Sequence, residues 1–202
     1  MLRTTFFALA AMGLAVASQA ATIVTQSSAP TVGMAGHTTW TLTAVSDQGP
    51  IAGFDFTGGD NGFFGPMNQV NPAANATVFT DANGFFAFVG ADVSQDSQFK
   101  FASNSGTVVG AEEGPNTLQA AISFGTANAK VGPLAFVQLA IPGAAAATVD
   151  FRGNFTVLAA GGPILEDVAG RVGGDGPIIP EPSTIALAGL ALLGFIGYNR
   201  RK

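Results

Sequence analysis

Between residues 148 and 157 the chain reads Thr-Val-Asp-Phe-Arg-Gly-Asn-Phe-Thr-Val. Val149, Phe151, Phe155 and Val157 alternate with polar residues, and only Gly153 interrupts the apolar face. A period of two puts the apolar set on one side of an extended chain, which predicts a half-buried strand. The same alternation predicts strands over 39–45, with Trp40, Leu42 and Ala44 inward, and over 117–124, with Leu118, Ala120, Ile122 and Phe124 inward. Shorter candidates cover 51–57, 76–80, 85–89 and 98–102, and a more continuously apolar strand covers 134–141. Gly, Asn, Asp and Pro clusters separate them, and no window between the termini carries an amphipathic helical period. These elements predict an all-β fold, an antiparallel β-sandwich of jelly-roll type, with Trp40 in its core.

Both ends depart from this pattern. Residues 1–20 hold one cation, Arg3, then the apolar run Phe-Phe-Ala-Leu-Ala-Ala-Met-Gly-Leu-Ala-Val and the small-residue close Ser18-Gln19-Ala20. That is the form of a signal peptide cleaved between Ala20 and Ala21. Residues 160–179 turn to Gly and Pro and read as a linker. The ectodomain is therefore expected over 21–159. From Ile185 to Tyr198 no residue is charged. A helix of that length covers about 20 Å at ~1.5 Å per residue, short of the roughly 30 Å hydrocarbon core. The terminal Arg200, Arg201 and Lys202 extend its reach to the headgroups and favour the cytoplasmic face, so a short membrane helix over 184–198 with the body outside is expected.

Pro180-Glu181-Pro182-Ser183, the Gly-containing apolar run and the basic end together resemble the PEP-CTERM sorting tail, also labelled an ice-binding-protein C-terminal domain. The resemblance covers residues 180–202. It implies processing by an exosortase near Pro-Glu-Pro, after signal peptidase has acted at the other end. It also implies a Gram-negative, exopolysaccharide-producing setting, in which the body is first held in the periplasm by its membrane helix and then reaches the cell surface or matrix. The strand over 117–124, the stretch 133–142 and the last alternating strand also resemble the C-terminal half of cohesin-like jelly rolls, which implies a carbohydrate-associated or protein-docking sandwich.

Charge and residue inventory narrow what the body does. Between residues 21 and 177 four cations (Lys100, Lys130, Arg152, Arg171) face twelve carboxylates, a net of about −8, which opposes nucleic-acid binding. The chain has no cysteine, so the exported domain is held by its core rather than by disulfides. His37, the one histidine, sits in a Gly-flanked loop with no triad partner at a recognisable spacing. Two carboxylates suffice for glycoside cleavage, and Asp55 and Asp150 are the formal pair, although each also fits the solvated face of its strand, with Arg152 beside Asp150. Glu112-Glu113 before Gly114-Pro115 reads as a solvated loop.

Two stretches, Phe56 to Phe64 and Phe79 to Phe86, each run from an aromatic strand end through Asn-Gly into a Phe pair. Asn-Gly suits the positive φ of tight turns, so both read as hairpin turns. Asp60, Asn61, Asp81 and Asn83 there also offer oxygen ligands to calcium, although Phe85 occupies the next ligand position and no closing Glu follows. The expected role is a non-enzymatic structural or adhesive one associated with exopolysaccharide, other surface proteins or biofilm, without a cofactor. The alternatives are a carbohydrate- or calcium-binding module and a secreted glycosidase.

Overall fold

The computed structural model describes residues 22–70, 77–80, 83–143 and 147–174, with backbone only at Asn83 and Gly84. The expected signal peptide at 1–20, the rest of the expected linker beyond 174 and the expected membrane helix at 184–198 fall outside these residues. No helix among the described residues is long and apolar enough to cross a membrane.

The strands are β1 (Ile23–Pro30), β2 (His37–Val45), β3 (Ile51–Asp55), β4 (Gly62–Phe64), β5 (Gln98–Phe99), β6 (Thr107–Gly114), β7 (Thr117–Ser123), β8 (Leu134–Pro142), β9 (Val149–Ala159) and β10 (Gly162–Val172). They form two antiparallel sheets, a four-stranded one in the order β1-β2-β8-β5 and a six-stranded one containing β10, β9, β3, β7, β4 and β6. The fold is an all-β sandwich, as the alternation of residues 148–157, 39–45 and 117–124 requires.

One slot in the larger sheet is filled by two strands. Both β3 and β4 lie between β7 and β9 and run in the same direction. From Asp55 to Gly62 the chain takes seven steps, while β9 advances only from Asn154 to Arg152. The excess is thrown out as a loop over residues 57–61, where Gly58 and Gly59 adopt φ of 77° and 58°, a region that other residues rarely enter. Asn61-Gly62 is therefore not a hairpin turn: the strand leaves the sheet and re-enters it in line.

The inner faces are joined by phenylalanine. Phe54 of the larger sheet stacks on Phe99 of the smaller one at 5.1 Å, and Phe136 meets Phe155 edge-on at 5.1 Å. Phe56, immediately after β3, is fully buried and lies within 5.1–6.4 Å of Phe54, Phe63, Phe99, Phe136 and Phe155. Its ring explains the gap in β9. A Cβ added to Gly153 would lie 2.4 Å from Phe56 Cδ1 and 2.7 Å from the Asp55 carbonyl oxygen. Trp40 is partly buried against the same cluster.

Several sequence expectations are corrected. Residues 162–172, read as linker, are β10, which pairs with β9 along its whole length through a turn at Ala160-Gly161. Their composition misleads because β10 is an edge strand with only Val168 and Val172 as buried apolar residues. The stretch at 85–89 forms part of a short helix, α1 (Asn83–Val89). Five apolar residues do not distinguish a period of two from 3.6. Here Phe86 turns into the core while Phe88 is 88% exposed. β1 and β6 carry too few buried apolar residues to show a pattern in sequence.

The packing around Gly153 yields a mutational test. Gly153→Ala should cost about 1–3 kcal/mol by overpacking, and Phe155→Ala about 3–5 kcal/mol by leaving a cavity. Thr156→Asp, on the opposite face, should stay within about 0.5 kcal/mol. Chemical denaturation of the three variants measures all of these, and an unperturbed Gly153→Ala would contradict the close approach of Phe56.

Candidate functional site

An antiparallel sandwich has two lateral openings, where the edge strands of its sheets face each other across the core. On the β1/β10 side, the Thr22 hydroxyl donates to Oε2 of Glu166, a buried carboxylate on the inner face of β10. On the β5/β6 side residues 77–80 lie in the gap. Val78 and Phe79 fill it with apolar groups, and the Phe99 amide donates to the Val78 carbonyl at 2.8 Å.

The polar centre of that closure is Thr77, with Asp96 and Glu113. Pro115 and Asn116 turn β6 into β7, with Gly114 opposite Thr117, and this register sets Glu113 opposite the buried Leu118. Glu113 therefore faces inward, which corrects the solvated-loop reading. The Thr77 amide donates to Glu113 Oε1 at 3.1 Å, and its hydroxyl donates to Oε2 at 2.9 Å. The same hydroxyl lies 3.5 Å from Asp96 Oδ1, which accepts the Val70 amide at 2.7 Å. Asp96 Oδ2 is buried with no hydrogen-bond partner.

Asp96 reaches this position at the end of the single turn Val93–Gln95. Asp92 caps the turn by accepting the Ser94 amide at 2.8 Å. The turn lies across the outer face of the smaller sheet. Thr39 Oγ1 donates to the Ser94 carbonyl at 2.8 Å, and Gln138 Nε2 donates to the carbonyls of Val93 and Asp96 at 2.8 and 3.0 Å. Burial pushes the Asp96 carboxyl up to about 7, and the Glu113 charge adds to this, against the lowering effect of the Val70 and Thr77 bonds. The hydrogen bonds from Ser94 lower Asp92 instead.

The residues singled out from the sequence are dispersed. Asp60 is exposed on the loop over 57–61, and Asn61 spends its side-chain amide on the Thr57 carbonyl at 3.3 Å. Asp81 and the side chain of Asn83 lie outside the described residues, as do Ala20, Ala21, Pro180, Glu181, Pro182, Ser183, Arg200, Arg201 and Lys202. Among the described residues no group of three His, Cys, Asp or Glu gathers. Asp55 accepts the Thr57 amide and hydroxyl at 2.8 and 2.6 Å and so shapes the exit from β3.

Asp150 pairs with Arg171 across the β9/β10 register at 2.6 Å rather than with Arg152. Asp55 stands opposite Asn154, four residues from Asp150. At about 3.3 Å per residue that is roughly 13 Å, beyond the ~5–9.5 Å of glycosidase carboxylate pairs. His37 begins β2 rather than occupying a loop, and its Nδ1 is buried without a partner.

Sequence reasoning missed Thr77, Asp96 and Glu113. A signal for Glu113 was present, because Gly114-Pro115-Asn116 is turn chemistry and a two-residue turn fixes the face of Glu113. Nothing local marks Thr77 or Asp96.

The hub and the surface ion pair should respond very differently to mutation. Thr77→Val keeps shape but removes the hydroxyl, and should cost about 1–3 kcal/mol by taking one hydrogen-bond donor from a buried carboxylate. Arg171→Ala breaks a pair whose side chains are 65% and 61% exposed and should cost no more than about 1 kcal/mol. Equal losses in denaturant titrations would refute the buried hub.

Residues 179–202 match the family model for the PEP-CTERM protein-sorting motif. No curated protein and no solved structure matches the chain, so the resemblance of the body to cohesin-like jelly rolls gains no support. The residues carrying the motif are those the sequence marks by Pro180-Glu181-Pro182 and the basic end. The chain thus bears a PEP-CTERM protein-sorting motif on an all-β sandwich, and the motif implies export, processing by an exosortase and sorting to the cell surface.

Proposed function

We propose that the sandwich is a structural or adhesive component of the cell surface or extracellular matrix, delivered there by its tail and associated with exopolysaccharide. The sorting motif at residues 179–202 carries this reading. The apolar stretch before the basic end holds the body in the periplasm until processing, and the partner of the mature domain is matrix polysaccharide or another surface protein. No catalytic step is assigned to it.

A carbohydrate-binding module is the second reading, and one observation favours it. Phe88 on α1 presents an 88% exposed ring, with Val89 and Val93 also exposed nearby in sequence. An exposed aromatic face is the usual platform for a sugar ring.

Truncation before Pro180 should abolish tail processing while leaving export intact, as read by the mass and membrane association of the exported protein. Identical maturation of the truncated and full-length chains would refute the sorting role. In pull-down of the mature protein with extracellular polysaccharide from the host cells, the structural reading expects Phe88→Ala to retain binding within about twofold. A loss of tenfold or more, about 1.4 kcal/mol, would put the binding-module reading first.

A further inference from the structure

We propose that Glu166 receives the N-terminus of the processed chain: the ammonium group freed at Ala21 by the expected cleavage between Ala20 and Ala21 pairs with the open oxygen of this carboxylate. Glu166 is 6% exposed on the inner face of β10, opposite Phe155 of β9. Its Oε2 accepts the Thr22 hydroxyl, but its Oε1 is buried with no hydrogen-bond partner. A buried carboxylate oxygen without a donor is costly, and the polar groups of native cores are nearly always matched. Oε1 calls for a donor. The chain that brings the first donor, at Thr22, is the chain that begins one residue earlier once it has been processed.

None of the body's own cations meets this oxygen. Arg171 is paired with Asp150, and Lys130 lies over the Phe124 ring at 4.9 Å. Arg152 is exposed on the outer face of β9, and Lys100 is exposed just after β5. A metal ion is the poorer occupant. Among the described residues no group of three His, Cys, Asp or Glu gathers, whereas calcium wants about 6–8 oxygens. On β10 the next carboxylate, Asp167, is exposed on the opposite face and adds no ligand to the site.

Hydrolysis of the Ala20–Ala21 bond adds water across it, leaving a carboxyl group on Ala20 and an amino group on Ala21. With an ordinary pKa of about 7.7–8.0, that amine takes up a proton near neutral pH. It then offers several N–H donors and a full positive charge, where the uncleaved peptide offers a single N–H and no charge. Ala21 lies outside the described residues, but its bond to Thr22 limits its reach, because one residue of chain spans at most about 3.6 Å. Thr22 is buried and held by Glu166, so it brings the new ammonium to the same carboxylate. Because β1 and β10 belong to different sheets, the pair ties the two sheets together at the side where their edges face each other. Removal of the signal peptide thus adds an interaction to the domain as well as trimming the chain.

The full exported protein is to be compared with a form carrying Gly-Ser inserted between Ala20 and Ala21. The insertion leaves Ser18-Gln19-Ala20 for the signal peptidase but moves the ammonium two residues from its place, and intact mass gives the first residue of each exported chain. In chemical denaturation the inserted form should show an unfolding equilibrium constant raised roughly tenfold or more, since a buried charge that loses its partner is costly. Glu166→Gln should raise it comparably in the unaltered chain and add little beside the insertion, because the two changes remove one interaction. A further measurement needs no variant. Near neutral pH the α-amino group of the exported protein should react with an acylating reagent at least about tenfold more slowly than that of the denatured chain, since reaction requires local opening. The pairing is refuted if the inserted form is as stable as the unaltered one, if the insertion and Glu166→Gln act independently, or if the amine reacts at the denatured rate. An exported chain that starts at another residue overturns the cleavage reading and the pairing together.

Discussion

The sandwich depends on the contact between the ring of Phe56 and the bare backbone of Gly153. A side chain at position 153 would collide with that ring, and a smaller residue at 56 would open the centre of the aromatic cluster. Phe56 is the last residue of its run still bonded to β7, through the Ala120 carbonyl at 3.0 Å, before the chain leaves the sheet. One large ring thus links three things: the depth of the core, the break between β3 and β4, and the loop that holds Asp60. Large rings bury much apolar area and prefer offset or edge-on contacts. A core with so many of them needs a glycine where two backbones must approach.

Apolar packing holds the two faces together but cannot by itself finish the sides, where strand edges and inward carboxylates meet. On each side a threonine hydroxyl supplies a hydrogen to a buried glutamate, Thr22 to Glu166 and Thr77 to Glu113. Burying a carboxylate is costly without such donors. The β5/β6 side carries the heavier load, because Asp96 joins Glu113 there, and two acids in one dry site oppose each other's ionisation.

The body and the tail divide the work. The sorting motif at residues 179–202 implies delivery to the cell surface. The body supplies a cysteine-free, acidic domain held by its core, with an exposed phenylalanine ring on α1. Of the residues weighed as calcium ligands, Asn61 bonds the Thr57 carbonyl and Asp60 is exposed on the same loop. Asn61 and Asp55 close and shape the loop that interrupts the central strand.

The sequence alone determined the parts whose signal is local. Alternation gave β2, β7 and β9 to within a few residues, because a sheet with one buried face imposes a period of two, and a continuous apolar run gave β8. The order Pro-Glu-Pro, apolar run, basic end gave the sorting motif, because a linear address is read in sequence order. Gly153 announced itself as a gap in β9, but not what filled it. Only the tertiary structure decided the rest. It made β10 a strand, because an edge strand buries too little to show a pattern. It made 85–89 helical, because five apolar residues fit either period. It joined Thr77, Asp96 and Glu113, which are far apart in sequence and share no motif. They meet because the chain crossing from one sheet to the other must close the opening between β5 and β6, and the partners of a buried polar group are set by that closure rather than by neighbours along the chain.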